Sequence, residues 1–319
     1  MSDVGSLADL GEFGLIQRIT QDLPTSAEVV VGTGDDAAVL VTSDGRSVIS
    51  VDMLVEGRHF RRDWSTPIDV GRKAAAAALA DLAAMGARPV ALVVGFGAPA
   101  DLPAAWALSC TAGLREEALG AGAVLVGGDV VQAAQIVISV TVIGALDGRA
   151  PVLRSGAKPG DVVALAGRVG WAAAGLALLS RGFRSPKVLV DAQRCPSPPY
   201  AAGVAAAIAG ATSMIDVSDG LVADARHVAQ ASGVVVSLDS SVLVVPEQMA
   251  AAAAAYHVDP REWTLHGGED HALLATFPAG RALPESFMVI GSVEASTEPG
   301  VAVDGVRTTD HGGHQHFAG

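Results

Sequence analysis

The stretch AVLVGGDVVQAAQIVISVTVIG, residues 123–144, carries two strand signatures back to back. It opens as an uninterrupted aliphatic run that stops on Gly127, Gly128 and Asp129, and from Ile136 it becomes an alternation of branched aliphatics with Ser139 and Thr141. A continuous apolar run is what a strand covered on both faces requires, whereas alternation marks one covered and one open face. Upstream, ALVVGFG (91–97) repeats the first signature, and residues 101–120 between the two have helical character. Strand, connecting helix and strand in that order predict an α/β fold of the α+β type.

Further towards the N-terminus, residues 11–22 place Phe13, Ile16 and Ile19 at helical spacing, and Glu28 to Val31 turns strand-like before the loop GTGDD (32–36). The run AAVLV ends at the turn Ser43-Asp44-Gly45, and SVISVD (47–52) is a strand ending on Asp52. An alanine-rich helix opens near Pro67, runs to about Gly86 and carries Asp81 late in its course. The turn Asp147-Gly148-Arg149 closes this unit, and SGAKPGDVVALAG (155–167) restarts with a turn feeding a strand. The boundary therefore falls there, giving one domain over residues 1–148 and a second over 149–319. The second half continues with a helix after Gly170, a link around Pro196–Pro199, the motif MIDVSDG, a helix over 220–232 and the strand VVVSL (234–238). Ala250–Ala255 reads as a surface helix.

With 319 residues, 50% of them hydrophobic, the chain can bury two cores, which excludes disorder. Lys and Arg number 21 against 34 Asp and Glu, so the net charge of -13 repels polyanions and argues against nucleic acid as a partner. Such a chain binds phosphates only where divalent cations reverse the local sign of charge. Cys110 and Cys195 form no CxxC pair, as expected in a reducing compartment, and MSDVGSLADLGEF lacks the basic and apolar regions of a signal peptide. The longest uncharged stretch, Cys195–Ile215, is broken by prolines, so no membrane span is expected and the location expected is the cytoplasm.

Carboxylates recur where apolar runs stop: GTGDD (32–36), SVISVD (47–52), VLVGGD (124–129), SMIDVSDG (213–220) and HGGED (266–270). In open α/β folds ligands bind beyond the carboxyl ends of strands, and a glycine beside an acid lets a phosphate or ion approach the backbone. Oxygen donors with few histidines or cysteines nearby suit magnesium, which shares its shell with water and nucleotide phosphates. Asp44-Gly45 and Asp147-Gly148, taken singly, are turn chemistry. The only lysines are Lys73, Lys158 and Lys187, none in a GxxxxGK[ST] loop, and HRD and DFG are missing as well. A phosphate cradle must then use glycines, metal and an arginine, for which Arg154 in LRSGAKPGD is the candidate.

The run GEFGLI, GTGDDAAV, SVDMLVEGRHF, ADLAAMGA, VGGD, RSGAKPGD, IDVSDGL and HGGED, in this order, resembles the thiamine-monophosphate kinase family over essentially the whole chain. The resemblance implies two α/β domains, the first binding ATP and metal, and a homodimer whose N-terminal strands form a shared barrel. It implies transfer of a phosphoryl group from ATP to thiamine monophosphate, with several magnesium ions and, as a further cofactor to consider, potassium. Carried over by motif, the metal ligands are Asp36, Asp52, Asp81, Asp129, Asp216 and Asp219, with Asp36, Asp52, Asp129 and Asp216 the catalytic set. Gly128, Asp129, Arg154 and Ser218 meet ATP, and His59, Glu269 and His314 the thiamine monophosphate.

Three departures accompany the resemblance. Ser50-Val51 stands where relatives often place two hydroxyl residues, so a backbone carbonyl or water at Val51 replaces one ligand. His271-Ala272 follows GGED where relatives usually have tyrosine and glutamate, and His314 takes the place of a C-terminal aromatic. Two other readings stay open on sequence: a superfamily member that activates an amide or formyl oxygen with ATP, as in purine synthesis, and a catalytically silent nucleotide-binding scaffold. A transition-metal site at His311, His314 and His316 is the weaker third.

Overall fold

In the computed structural model, which describes residues 6–31 and 39–308, helix α1 (Leu7–Thr20) begins earlier than its apolar spacing indicates. The cause is a capping box: the Ser6 hydroxyl accepts from the Asp9 amide, and the Asp9 carboxylate accepts from the Ser6 amide. The chain divides into two compact units, Met1–Leu82 with Arg88–Gly148, and Ala83–Ala87 with Arg149–Gly319.

In the first unit the short strands β1 (Val29–Val31) and β2 (Val39–Leu40) pair antiparallel. The main sheet is built from β3 (Ser47–Val55), β4 (Arg88–Ala98), β5 (Val124–Gln132) and β6 (Val137–Ala145), joined by α2 (Pro67–Ala84) and α3 (Ala104–Gly120). Its order is β3-β6-β4-β5, with β4 and β5 parallel and the other pairs antiparallel. Thr66 and Asp69 form a second capping box that starts α2. Ala74, Ala75, Ala76, Ala78 and Ala80 are fully buried along the uncharged middle of α2, where every face of the helix is apolar. The approach of α3 depends on glycine. A Cβ on Gly71 would lie 1.9 Å from the Cys110 carbonyl oxygen, and one on Gly113 2.1 Å from that of Ile68.

Alternation sorts β3 between two environments. Ser50 and Asp52 face the same way as their buried β6 partners Val142 and Val140. Ile49, Val51 and Met53 point to the opposite face and are exposed in the single chain by 65%, 59% and 51%.

The second unit contains β7 (Val162–Ala166), α4 (Trp171–Ser180), α5 (Lys187–Arg194), α6 (Tyr200–Ala209), β8 (Ser213–Val217), α7 (Leu221–Ser232) and β9 (Val235–Leu238). It continues with α8 (Glu247–Tyr256), α9 (Pro260–His266), β10 (Ala272–Phe277), β11 (Phe287–Glu294), β12 (Gly300–Val303) and β13 (Val306–Arg307). The strands form one sheet of order β13-β12-β9-β11-β7-β10-β8, in which β12 and β9 alone run parallel. Val163, Leu165, Ile215 and Val217 pack with Leu221 and Val228 on one side, and Ala164, Met214, Leu273 and Phe277 with Ala202 and Ala206 on the other. Burial on both sides explains why VVALA and SMIDV read as continuous apolar runs. The polyalanine helix α8 is not wholly a surface element: Ala252 and Ala253 are buried, because one stripe of it meets α4 and α9. Cys110 is buried as a small hydrophobe, whereas Cys195 is only partly covered.

Candidate active site

The first unit carries Asp52 and Asp129 within its two edge strands. Strand β3 does not end on Asp52, as the sequence suggests, but continues to Val55, and β5 continues past Asp129 to Gln132, because branched aliphatics follow each acid. Asp52 lies on edge strand β3, and its Oδ1 accepts from the Met53 amide at 3.0 Å. Asp129 lies on the opposite edge strand β5, where Oδ1 accepts from the Val130 amide at 2.9 Å. Three strand spacings separate β3 from β5, about 14 Å, so these two carboxylates do not share one ion's shell. Asp81 of α2 comes back to β3, where its Oδ2 accepts from the Ser50 hydroxyl. Ser50, Asp81 and, on the same face of β3, Asp52 are thus collected, while Val51 turns its side chain to the other face.

Gly128 has a structural reason of its own. A Cβ there would lie 2.2 Å from the Val94 carbonyl oxygen across the parallel β4–β5 pair. A small cavity of about 60 Å³ opens beside Gly128 and Asp129, lined by Ile16, Ile19, Phe96 and Leu125. His59 sits in the loop after β3 with Nδ1 accepting from the Val55 amide at 3.0 Å, which puts the proton of a neutral ring on Nε2. Buried Lys73 donates to the His59 carbonyl at 3.1 Å and holds this loop to α2.

The second unit interlocks two loops, Ser218-Asp219-Gly220 after β8 and Gly267–His271 before β10. Glu269 donates its amide to the Ser218 carbonyl at 2.7 Å, and His271 donates its own to Val217 at 3.0 Å. Gly268 must be glycine for this fit, since a Cβ would meet the Ser218 carbonyl oxygen at 2.3 Å. Glu269 and His271 both adopt left-handed backbone, at φ of 67° and 52°. The arch aims their side chains at two partners: Gln193 Nε2 donates to Glu269 Oε2 at 3.1 Å, and His271 Nδ1 meets Asp216 Oδ2 at 3.1 Å. His271, where relatives usually have tyrosine, therefore supports a candidate metal ligand.

Two further carboxylates, not singled out from the sequence, hold this interlock. Asp224 in the first turn of α7 accepts from the amides of Asp219 and Gly220 at 3.0 and 3.2 Å. Burial, then the charges of Asp216 and Asp219, push its pKa up to about 7 against those two hydrogen bonds. Asp270 accepts from the Ala172 amide at the start of α4 at 3.1 Å, while its Oδ2 is buried without a partner. Burial pushes Asp270 up to about 7 as well. An acid in a helix's first turn and the second acid of GGED are the signals that could have marked them. Arg154 is exposed, in a loop stapled by Ser232, whose hydroxyl accepts from Gly156 and Ala157 and donates to the Arg154 carbonyl. Asp36 and His314 lie outside the described residues.

Among the described residues no group of three or more His, Cys, Asp or Glu side chains is arranged to hold a metal ion. The donors are nonetheless hard oxygens in ones and twos, which fits magnesium held by one or two carboxylates, waters and phosphates rather than an all-protein cage. No described helix is long and apolar enough to cross a membrane.

The fold and these motifs define an AIR synthase related protein. Residues 34–146 match that family's N-terminal domain and residues 158–304 its C-terminal domain. The chain is 51% identical to the thiamine-monophosphate kinase of Mycobacterium tuberculosis over 98% of this chain and 93% of that one. It is 42% identical to that of Corynebacterium glutamicum, covering 92% and 89% of the two chains. The solved structure described as AaThiL complexed with AMPPCP and TMP superposes with a TM-score of 0.80 at 33% identity, covering 99% of this chain and all of that one. This chain belongs to the thiamine-monophosphate kinase family.

Proposed function

We infer that the chain is an ATP-dependent phosphotransferase, a thiamine-monophosphate kinase that converts ATP and thiamine monophosphate to ADP and thiamine diphosphate. The observation that carries this is 51% identity over 98% of the chain, beside a 33% identical relative whose structure is described as holding AMPPCP and TMP.

The acceptor is a phosphate monoester whose second pKa is about 6, so at neutral pH it is largely dianionic and needs no general base. One of its oxygens bonds to the γ-phosphorus as the bond to the β,γ-bridging oxygen breaks, and ADP leaves with that electron pair. The barrier is repulsion between two anions, so the protein must position them in line and neutralise charge. Asp36, Asp52, Asp81 and Asp129, with the Ser50 hydroxyl and the Val51 carbonyl, are the magnesium ligands of residues 1–148, and Asp216 and Asp219 those of 149–319. Magnesium there would neutralise phosphate charge, and potassium is the monovalent ion to test beside it. Gly128, Arg154 and Ser218 bind ATP. His59, Glu269 and His314 bind the thiamine monophosphate, where a carboxylate suits a cationic thiazolium and an amino group. Asp216 is kept in register by His271.

Edge strand β3 supports a homodimer in which the N-terminal strands close a shared barrel, because Ile49, Val51 and Met53 would otherwise stay in water. Two cysteines that form no disulfide and an acidic chain suit the cytoplasm. The test is product analysis with purified protein, ATP and magnesium. Thiamine diphosphate and ADP should form in equal amounts with thiamine monophosphate present. ATP turnover only with an amide or formyl acceptor would overturn the reading in favour of the purine-synthesis type.

A further inference from the structure

Helix α5 presents Leu189, Val190 and Gln193 inward, and an amide at the third of these positions is out of character for a buried helical stripe. Gln193 is 4% exposed, and a buried amide costs free energy unless hydrogen-bonded. Its nitrogen donates to Glu269 Oε2 at 3.1 Å. The amide orientation follows from chemistry, since a carboxylate only accepts and so must face the nitrogen.

The contact depends on how closely α5 lies on α4. Gly175 of α4 is the spacer, because a Cβ there would lie 2.1 Å from the Leu189 carbonyl oxygen and 3.0 Å from the Gln193 Cβ. The arch bearing Glu269 is tied to the same helix, through Asp270 on the Ala172 amide. Glu269 is therefore gripped at its backbone by Ser218 and Asp270's anchorage, and at its carboxylate by Gln193.

We propose that Gln193 is a positioning residue for thiamine monophosphate: it fixes the Glu269 carboxylate in the direction from which that carboxylate holds the substrate's cationic heterocycle. This rests on the reading of Glu269 as a substrate-binding residue. Gln193 acts through Glu269, so its effect belongs to one substrate and disappears when Glu269 cannot answer.

A double-mutant cycle tests this, with KM for thiamine monophosphate, KM for ATP and the melting temperature measured for Gln193→Met, Glu269→Gln and the pair. Losing one hydrogen bond to a charged group should raise the first KM by about tenfold in Gln193→Met and leave KM for ATP unchanged. The double variant should match Glu269→Gln alone. If Glu269→Gln raises KM for thiamine monophosphate but Gln193→Met does not, or the two effects multiply, the proposal is overturned while the role of Glu269 stands. If Glu269→Gln leaves that KM unchanged, the reading of Glu269 itself fails and the proposal with it. Should Gln193→Met lack a cooperative melting transition, Gln193→Glu keeps size and polarity but sets a second carboxylate against the first. An unchanged KM in that variant overturns the proposal equally.

Discussion

The carboxylates of the two units look alike in sequence and differ in what surrounds them. Asp52 and Asp129 on edge strands keep one oxygen on the next backbone amide and stay accessible, whereas Asp224 and Asp270 are buried and pin helix starts. The acids thus divide into two kinds, those open to solvent and proposed as ligands, and those buried as ties that hold the loops. Burial separates Asp224 and Asp270 from Asp52 and Asp129, because a carboxylate closed off from solvent cannot share an ion with water and phosphate. Asp216 is buried too, and His271 holds it there.

The largest effect that would sharpen this contrast is expected from Asp52→Asn, which removes a charge without changing size. It should lower kcat by about a hundredfold or more at saturating magnesium, with a melting temperature close to wild type. Near-normal turnover would remove Asp52 from the site.

Next in size comes the packing that supports the arch. Gly175→Ala forces a Cβ against the α5 backbone, and overpacking of that kind costs about 1–3 kcal/mol. The melting temperature should fall by about 2–10 °C, and KM for thiamine monophosphate should rise with it. A stability equal to wild type would show that α5 has room to move and that Gly175 is no spacer.

A pH-dependent effect separates the buried class further. Asp270 has its folded-state pKa raised to about 7, against about 3.9 for an unfolded chain. Between those values the folded state binds the extra proton, so this group stabilises less as pH rises from 4 towards 7. Asp270→Asn cannot lose a proton, and its Oδ1 can still accept from Ala172. Its melting temperature relative to wild type should therefore be higher at pH 8 than at pH 5. A difference independent of pH between scans would contradict the assignment.

The smallest effect belongs to the turn acids. Asp44 accepts from the amides of Arg46 and Gly148, and Asp147 takes the Ser43 hydroxyl and the Arg88 guanidinium. These are exposed contacts worth about 0–1 kcal/mol, so Asp147→Asn should leave kcat and both KM values unchanged. A kinetic defect would show that Asp-Gly turns are not separable from the ligand acids.

The first unit's main sheet and the long helices are legible because their periods are local: alternation marks β6, and continuous aliphatic runs mark β4, β5 and β7, whereas β8 and β10 to β13 are not read as strands from the sequence. The start of α1 was written in Ser6 and Asp9 but is easily passed over beside stronger apolar spacing. The motif acids were legible as a set. Gln193, Lys73, Asp224 and Asp270 were not, because which polar side chain is buried, and beside what, is decided by packing between elements far apart in the chain. The same holds for Gly128, required by the Val94 carbonyl before any phosphate is considered.

The contrast between the two classes of acid is tested most directly by Asp129→Asn and Asp270→Asn in one kinetic and thermal comparison. Asp129→Asn should lose thiamine diphosphate formation, by about a hundredfold or more, with its melting temperature retained. Asp270→Asn should keep kcat within about tenfold while its pH dependence of melting changes. A stable, fully active Asp129→Asn beside a well-folded but inactive Asp270→Asn would reverse the assignment of ligand and tie, and contradict this account.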